Sequence, residues 1–316
     1  MAGSILAAFN NLALHHDNDL RAYSRQYRIR INSEGSALEM FVKDAFVNSF
    51  KLGDEEKQRA YRSLFSYFGN QNNPPDFMIK GGDAFEVKKV EKIPSKLALN
   101  SAPPKDRLRK SDPMITKYCR ECEEWEEKDL YYVIGLVEEG TVRSLFYVHA
   151  LCYAADKSVY EKVSQPLKHS VSQHIKELGL EEGDTVELGR IHRVDPLGIT
   201  DFRIRGMWEI VSPHKVFEYV LDKINWLPPY SNKSIQFSLD GTKQDRLIVQ
   251  SVIPEGTKWK NFTLLCLMLK TKYESYPLED RRVLESNPLL KVIDTTVKDP
   301  NNPVKTLDVK FIMSRW

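Results

Sequence analysis

The spacing of apolar residues changes abruptly in the first third of the chain, and this change constrains the fold more than any other feature. From 36 to 50, apolar side chains recur every three or four residues, which predicts an amphipathic helix, and a second helix is expected over 54–68. Residues 69–75 are typical of turns, and the strand-like runs 76–80 and 84–90 follow them. We therefore expect an α/β domain in which helices precede a β-hairpin.

The rest of the chain continues this mixture of helical and strand-like segments. The remaining expected helices are 4–14, a segment that follows Pro113 and ends near 127, 156–178 and 213–221. The remaining expected strands are 130–137, 142–149, 234–239, 246–252, 262–270 and 307–313. A polar loop is expected at 100–113, and Pro228-Pro229 is the best candidate for a boundary. We divide the chain into a core, 1–226, and a β-rich C-terminal extension, 227–316, which we expect to belong to the same domain.

One motif in the hairpin carries reactive side chains. Pro75-Asp76 is followed, after nine residues, by Glu86-Val87-Lys88. The two carboxylates, with the carbonyl of Val87, offer oxygen ligands that suit Mg²⁺. Such a cation lowers the pKa of a bound water and neutralises charge on a phosphate, and Lys88 can orient that water or stabilise the transition state. The motif therefore predicts a phosphodiester hydrolase, although an ordinary Glu–Lys pair on a surface hairpin is the alternative.

The predicted catalytic centre needs a particular pairing of the two strands. Glu86 and Lys88 lie two residues apart in a strand, so their side chains share a face. A two-residue turn at Gly81-Gly82 would place Asp76 on the opposite face. A three-residue loop at 81–83 would place Asp76 opposite Lys88 and diagonal to Glu86. The chemistry therefore favours the three-residue loop.

A further acidic residue lies on the helix that precedes the hairpin. Glu39 is flanked by Leu38 and Phe41 at the edge of the apolar stripe, so it could bind or orient the metal. The alternative is an i,i+4 ion pair between Glu39 and Lys43 on a solvated face of the helix. We count Glu39 as a supporting member of the predicted catalytic group.

Local clusters of basic residues point to a polyanionic partner, although the formal net charge is only +2. The clusters are Arg21, Arg25, Arg28 and Arg30; Lys105, Arg107, Arg109 and Lys110; and Arg190, Arg193, Arg203 and Arg205. In an extended strand Arg203 and Arg205 share one face, and a guanidinium fork matches the O6 and N7 acceptors of guanine. Further nucleic-acid contacts are expected from Arg190, Arg193, Asn100 and Ser101. The alternative for each cluster is a solvated surface.

The remaining features limit the chemistry and the location of the chain. Cys119-x-x-Cys122, with His149 and Cys152, could in principle supply a zinc site, but reduced thiols in a reducing cytoplasm are the preferred interpretation. No run approaches the roughly 18 apolar residues of a membrane-spanning helix. The N-terminus lacks the basic start and long apolar centre of a signal peptide. We therefore expect a cytoplasmic protein without a membrane partner.

Longer runs of residues resemble a known family. Residues 66–76, SYFGNQNNPPD, and 82–89, GDAFEVKK, look like the type II restriction endonucleases of the NgoPII family. The same likeness extends to 97–101, 113–115, 187–190, 193–200 and 203–208. These runs fall within roughly residues 30–220, about sixty per cent of the chain, and the last ninety or so residues carry no such resemblance.

The resemblance implies a PD-(D/E)XK fold, with a mixed central sheet flanked by helices, and Mg²⁺-dependent cleavage of double-stranded DNA. It also implies a short palindromic site, GGCC for the enzyme that names the family, so we expect a GC-rich palindrome. Two identical half-sites imply a two-fold homodimer in which each subunit cuts one strand. No nucleotide cofactor is expected. A repair or recombination nuclease of the same fold, and a DNA-binding protein without catalytic activity, are the alternatives.

Overall fold

A computed structural model describes residues 3–15, 17–21, 34–70, 73–223 and 262–314. Several expectations lie outside these described residues. They are the strands at 234–239 and 246–252, the boundary at Pro228-Pro229, and Arg25, Arg28 and Arg30 of the first basic cluster. The division of the chain between 226 and 227 falls in the same gap, so it stays a prediction.

Helices and strands alternate along the described part of the chain. The helices are α1 Ile5–Leu14, α2 Glu34–Val47, α3 Asp54–Leu64, α4 Lys117–Glu121, α5 Lys157–Glu177, α6 Pro213–Val216, α7 Glu218–Lys223, α8 Lys270–Ser275 and α9 Leu278–Ser286. The strands are β1 Phe65–Tyr67, β2 Phe77–Ile79, β3 Ala84–Val90, β4 Lys96–Ala98, β5 Arg107–Arg109, β6 Glu127–Glu138, β7 Thr141–His149, β8 Glu181–Glu182, β9 Gly189–His192, β10 Phe202–Ile204, β11 Glu209–Val211, β12 Thr263–Leu269, β13 Leu290–Asp299 and β14 Asn302–Ser314. Among these helices, none has the length and apolar character needed to cross a membrane.

The long strands form one mixed sheet, which has nine strands within the described residues. Its order is β1-β2-β3-β6-β7-β12-β14-β13, and β5 pairs with the start of β6. β3 runs parallel to β6, and β7 runs parallel to β12, whereas the other neighbours are antiparallel. Two small sheets, β10-β9-β8 and β11-β4, are separate from it. The prediction of an α/β fold with a mixed central sheet is confirmed.

Alternate residues of the central strands face two separate hydrophobic cores. Along β6, Tyr131 and Val133 belong to the core that α1 and α2 cover. Tyr132 and Ile134 belong to the core that includes residues of α4 and α7. This alternation follows from the period of two along a strand, and burial on both faces explains the nearly continuous apolar runs of β6 and β7. Helices flank the sheet on both faces, as the sequence predicts.

The C-terminal segment extends the central sheet. β12 pairs with β7, β14 pairs with β12, and β13 forms the edge beyond β14. The sequence predicts β12 and the second half of β14, and so a β-rich C-terminal region. It does not predict α8, α9 or β13. β13 is half-exposed at the edge of the sheet, so its polar side chains hide the apolar alternation that marks an inner strand.

The helix predicted over 54–68 is shorter than expected, because α3 ends at Leu64. Residues Phe65–Tyr67 form β1 and pair with β2. Phe65 and Tyr67 are buried and the residue between them is partly exposed, which is the period of a strand. Sheet pairing therefore overrides the helical tendency of the last turn.

The helix predicted to end near 127 is also shorter, because α4 covers only Lys117–Glu121. Beyond it the carboxylate of Glu123 accepts hydrogen bonds from Gly81 N at 2.7 Å and from Ser66 Oγ at 3.0 Å. These contacts tie the segment to β1 and to the hairpin loop, and β6 begins at Glu127. The polar loop predicted at 100–113 contains the short strand β5, which pairs with the start of β6.

Candidate active site

The β2–β3 hairpin brings the predicted catalytic motif together through a register that differs from the expected one. Phe77 lies opposite Phe85, so residues 80–82 form the loop. The predicted loop, 81–83, is wrong. It would pair Phe77 with Val87, which lies two residues beyond the observed partner on β3. Strand side chains alternate with a period of two, so the shift leaves Asp76 on the face where it was predicted.

The conformation of Gly81 and the contacts of Asp83 define this loop. Gly81 adopts a φ of +60°, which glycine reaches without strain. Asp83 is not a loop residue, because its backbone carbonyl accepts a hydrogen bond from Ile79 N at 2.9 Å. Its carboxylate is anchored by the C-terminal segment, through Lys272 Nζ at 2.6 Å and Tyr276 Oη at 2.9 Å. The C-terminal segment therefore helps to set the strand pairing of the β2–β3 hairpin.

Asp76, Glu86 and Lys88 lie together where the chain enters β2 beside β3. Asp76 Oδ2 accepts a hydrogen bond from Val87 N at 2.6 Å, and Lys88 Nζ lies 2.6 Å from Glu86 Oε1. Gly69 packs against the same backbone, and a Cβ at this position would lie 2.2 Å from the carbonyl oxygen of Asp76. The close approach requires glycine. The three side chains form a group of two acids and one lysine, which we call the acid–lysine group.

The negative charges of the acid–lysine group repel one another. Burial raises the pKa of Asp76 well above its usual range, and the carboxylates of Glu86 and Glu39 raise it further. Lys88 and the Val87 amide offset only part of this rise. Burial lowers the pKa of Lys88, but Glu86 and Asp76 outweigh it, so the net pKa is raised and the ammonium stays charged at neutral pH.

The donor atoms of this group suit a small hard cation. Glu86 Oε2 is buried and has no hydrogen-bond partner among the described residues, which is costly for a carboxylate oxygen. A cation beside Asp76 and Glu86 would remove this cost and the repulsion between the two acids. The described ranges contain no group of three or more His, Cys, Asp or Glu that could hold a metal ion. Mg²⁺ fits such a sparse set, because it commonly takes one or two carboxylates and completes its shell with water and phosphate oxygens.

Glu39 on α2 reaches the same region and is also an ion-pair partner. Its negative charge is one cause of the raised pKa of Asp76. Its Oε1 contacts the ammonium of Lys43, which is buried and also donates to Phe68 O at 3.2 Å. The i,i+4 ion pair is therefore present, although Lys43 is buried and does not lie on a solvated face, and a metal role of Glu39 stays a prediction.

A cleft of about 790 Å³ connects the acid–lysine group with the third basic cluster. Seven predicted residues line it: Asp76, Glu86, Lys88, Asn100, Ser101, Arg203 and Arg205. Other lining residues were not predicted, among them Asn73, Tyr132 and Glu187. Tyr132 has a clear structural cause, since it lies beside Glu86 in the parallel pairing of β3 with β6. Residues predicted from three separate segments therefore share one cleft.

Both arginines of the cleft bind one carboxylate. Arg203 donates through Nε and Nη2 to the two oxygens of Glu187, at 2.9 Å each, and Arg205 Nε lies 2.6 Å from Glu187 Oε1. Only 6% of the Glu187 side chain is exposed, whereas about half of each arginine side chain is exposed. The sequence gives no sign of this role of Glu187. The role arises only when the chain between 187 and 205 folds back and brings Glu187 to the two arginines.

Arg190 and Arg193, which were predicted to contact nucleic acid, lie outside the lining of this cleft. Arg190 Nη2 lies 2.5 Å from Asp201 Oδ2, and Arg193 Nε lies 3.5 Å from a carboxylate oxygen of Glu181. Arg190 on β9 is nevertheless the direct cross-strand neighbour of Arg203 on β10. The structure thus divides the third basic cluster into two cleft arginines and two neighbours outside it.

The four cysteines are free thiols. Cys119 is buried with its Sγ 3.7 Å from Met78 Sδ, and burial raises its pKa to about 12. In the part of the chain that the structure describes, Cys119 and Cys122 belong to no group that could hold a metal ion. Cys119 packs in the same hydrophobic core as Ile115 and Trp125.

Comparison with known proteins decides the family. A family model described as NgoPII restriction endonuclease matches residues 3–229. The type II restriction enzyme NgoPII of Neisseria gonorrhoeae is 34% identical over 310 residues, which are 98% of this chain and 98% of that protein. The chain belongs to the NgoPII restriction endonuclease family. No solved structure matches it.

Membership of the NgoPII family confirms two predictions, the family resemblance and the enzyme class, a type II restriction endonuclease. It also corrects the extent of the likeness. The sequence runs fall within about sixty per cent of the chain, whereas the alignment with the NgoPII relative covers 98%. The last strands therefore belong to what the two proteins share, and they do not form an unrelated extension.

Proposed function

We propose that this member of the NgoPII family hydrolyses double-stranded DNA at a short GC-rich palindrome in a Mg²⁺-dependent reaction, with GGCC as the first site to test. One observation carries the proposal: Asp76, Glu86 and Lys88 share a cleft with Arg203 and Arg205. A duplex in this cleft would meet a group suited to phosphodiester hydrolysis and two cations suited to guanine recognition. The order Pro-Asp, then Glu-x-Lys, on a hairpin of a mixed sheet supports a PD-(D/E)XK fold.

We assign Asp76 and Glu86 as the residues that would hold the cation, with the carbonyl of Val87 as a further oxygen ligand. When bound, Mg²⁺ lowers the pKa of a coordinated water and neutralises charge on the scissile phosphate. The unpartnered Glu86 Oε2 and the raised pKa of Asp76 support this assignment, because added positive charge would relieve both.

We assign Lys88 the stabilisation of negative charge on the phosphate. Its ammonium lies 2.6 Å from Glu86 Oε1, and its raised pKa keeps it protonated. A fixed positive charge in this partly enclosed cleft would favour the transition state, in which the phosphate oxygens carry more negative charge than in the substrate. Glu39 would support the acid–lysine group by orienting ligands of the cation.

We propose that the active form is a two-fold homodimer. The two halves of a palindrome are identical and lie on opposite strands, so two copies of one cleft can each read a half-site and cut one strand. Asn100, Ser101, Arg203 and Arg205 are the proposed DNA contacts within the cleft, and Arg190 and Arg193 are proposed contacts beside it.

The test of the proposed function is digestion of plasmid DNA by the purified protein with Mg²⁺, and with EDTA as the control. We expect discrete fragments with Mg²⁺, intact plasmid with EDTA, and no cutting of a plasmid that lacks the cognate sequence. A smear, or nicking confined to branched DNA, would indicate a repair or recombination nuclease instead. Intact plasmid under all conditions would indicate a DNA-binding protein without catalytic activity.

Replacement of Glu39 by glutamine is expected to slow cleavage by about ten- to a hundredfold, the usual effect of losing a group that orients metal ligands. The glutamine oxygen can still accept a hydrogen bond from Lys43, so part of the local contact survives. The matched variant is Lys43→Met, which keeps the Glu39 carboxylate but removes its partner. Single-turnover rates and melting temperatures of both variants should be measured. Equal losses of stability with an unchanged rate for Glu39→Gln would reduce Glu39 to an ion-pair partner.

A further inference from the structure

Two arginines of the cleft converge on one oxygen atom. Oε1 of Glu187 lies 2.9 Å from Arg203 Nη2 and 2.6 Å from Arg205 Nε. Guanidinium cations held this close repel each other, and Glu187 offsets this repulsion; Arg190, directly across the strand from Arg203, has its own carboxylate partner in Asp201. A buried carboxylate is stable only when it is paired, so Glu187 and the two cleft arginines depend on one another.

The geometry of these contacts leaves donors on the arginines for another ligand. A guanidinium has five N–H donors in a rigid fork, with a side-on edge (Nε and Nη2) and an end-on edge (Nη1 and Nη2). Arg203 uses its side-on edge for Glu187, and Arg205 contacts Glu187 through Nε. Nη2 of Arg203 carries two N–H groups, so the end-on N–H of Nη2 and that of Nη1 stay outside the ion pair. This end-on edge can bind guanine O6 and N7 together.

We propose that Glu187 is a positioning residue for sequence specificity, which holds Arg203 and Arg205 so that their free donors meet guanine in the half-site. The inference rests on the proposed function, because it requires that the cleft binds DNA. Glu187 acts through Arg203 and Arg205, which both bind its carboxylate. It also offsets part of the positive charge that would attract phosphates of any sequence. Glu187 thereby strengthens base reading and weakens general attraction to DNA.

Glu187→Gln separates this role from a structural one, because two measurements should move in opposite directions. Discrimination between the cognate duplex and single-base variants should fall by about tenfold, the effect of one lost bidentate contact. Affinity for a duplex that lacks the site should rise, and its salt dependence should steepen by about one phosphate contact. A residue that only stabilised the fold would instead lower affinity for every duplex.

Two further variants test the same role of Glu187. Glu187→Asp keeps the charge but withdraws the carboxylate by one methylene, so discrimination should fall while affinity for the duplex without the site stays unchanged. This variant decides the matter if Glu187→Gln does not fold. Glu182→Gln is the matched control, because it removes the same charge from the neighbouring strand β8. Glu182 pairs with Lys176 at 3.5 Å, and neither residue lines the cleft, so no change in specificity is expected.

Relative cleavage rates on cognate and single-base variant duplexes measure discrimination, and fluorescence anisotropy at two salt concentrations measures binding to the duplex without the site. Wild-type protein that fails to distinguish these duplexes would contradict the proposed function itself. Wild-type protein that discriminates, with Glu187→Gln or Glu187→Asp discriminating equally well, would overturn only the role of Glu187. Equal loss of affinity for all duplexes in the Glu187 variants would also overturn it.

Discussion

Asp76→Asn is expected to abolish cleavage and, in the absence of metal, to make the protein more stable. Asparagine keeps an oxygen that can accept the 2.6 Å hydrogen bond from Val87 N, so the local backbone contact is preserved. It removes the negative charge that would bind the cation. Several kcal/mol of transition-state stabilisation depend on such a cation, so the rate should fall at least about a thousandfold.

The gain in stability follows from the direction of the pKa shift. The pKa of Asp76 is raised in the folded protein, so folding disfavours its charged form. As the pH rises above about 4, where an unfolded aspartate ionises, the folded protein loses stability relative to the unfolded chain. Asparagine carries no charge and avoids this loss. The melting temperature of Asp76→Asn should therefore exceed that of the wild type near pH 8, and the difference should shrink toward pH 4.

Thermal unfolding in EDTA at both pH values, with cleavage assays in Mg²⁺, tests the two parts of this prediction. Asp308→Asn is the control, because it makes the same chemical change at an exposed position of β14 that does not line the cleft. It should alter neither the rate nor the pH dependence. An Asp76→Asn protein that cuts DNA at the normal rate would refute the catalytic assignment. A protein that is inactive but less stable at pH 8 would refute the electrostatic account.

Lys88→Met is expected to slow cleavage by about a hundred- to a thousandfold while the metal still binds. Loss of one preorganised group that stabilises transition-state charge has an effect of this size. Lys88 lies 2.6 Å from Glu86 Oε1, so its removal leaves Asp76 and Glu86 with more net negative charge. Affinity for a divalent cation should be unchanged or higher. Asp76→Asn should also lose cleavage, but its affinity for the divalent cation should fall.

Isothermal titration with Mg²⁺ or Mn²⁺ and single-turnover cleavage of the cognate duplex measure the two quantities. The neighbouring Lys89→Met is the matched control. Lys89 points to the other side of β3, pairs with Glu34 and Glu91, and does not line the cleft. It should retain near-normal cleavage. If Lys88→Met cut as fast as Lys89→Met, the charge of Lys88 would have no part in the reaction.

The sequence alone predicts the acid–lysine group well, because its geometry depends on local periodicity. Glu86 and Lys88 share a face of β3 whichever partner strand they pair with. Asp76 reaches that face for any register that differs from the predicted one by an even number of residues, so the error of two residues in the hairpin loop left the grouping intact. The long apolar runs of β6 and β7 also mark strands buried on both faces.

Contacts between distant segments could not be predicted in this way. The anchoring of Asp83 by Lys272 and Tyr276 joins residues about 190 positions apart, and it holds the residue at which the hairpin loop ends. The pattern of apolar residues along a single helix or strand cannot predict a contact between segments this far apart in the chain. The same reason explains the two predicted helices that were too long, because β1 pairs with β2 and Glu123 contacts Gly81 only in the folded chain.

The local spacing of residues in this chain determines its α/β character and the face on which Asp76, Glu86 and Lys88 lie, and its longer runs of residues resemble the NgoPII family. Only the tertiary structure decided which predicted residues meet. It placed Arg203 and Arg205 on the cleft through Glu187 and left Arg190 and Arg193 beside it. The physical reason is that the side-chain period depends on a single helix or strand. An ion pair between distant residues forms only after separate helices, strands and loops have packed together.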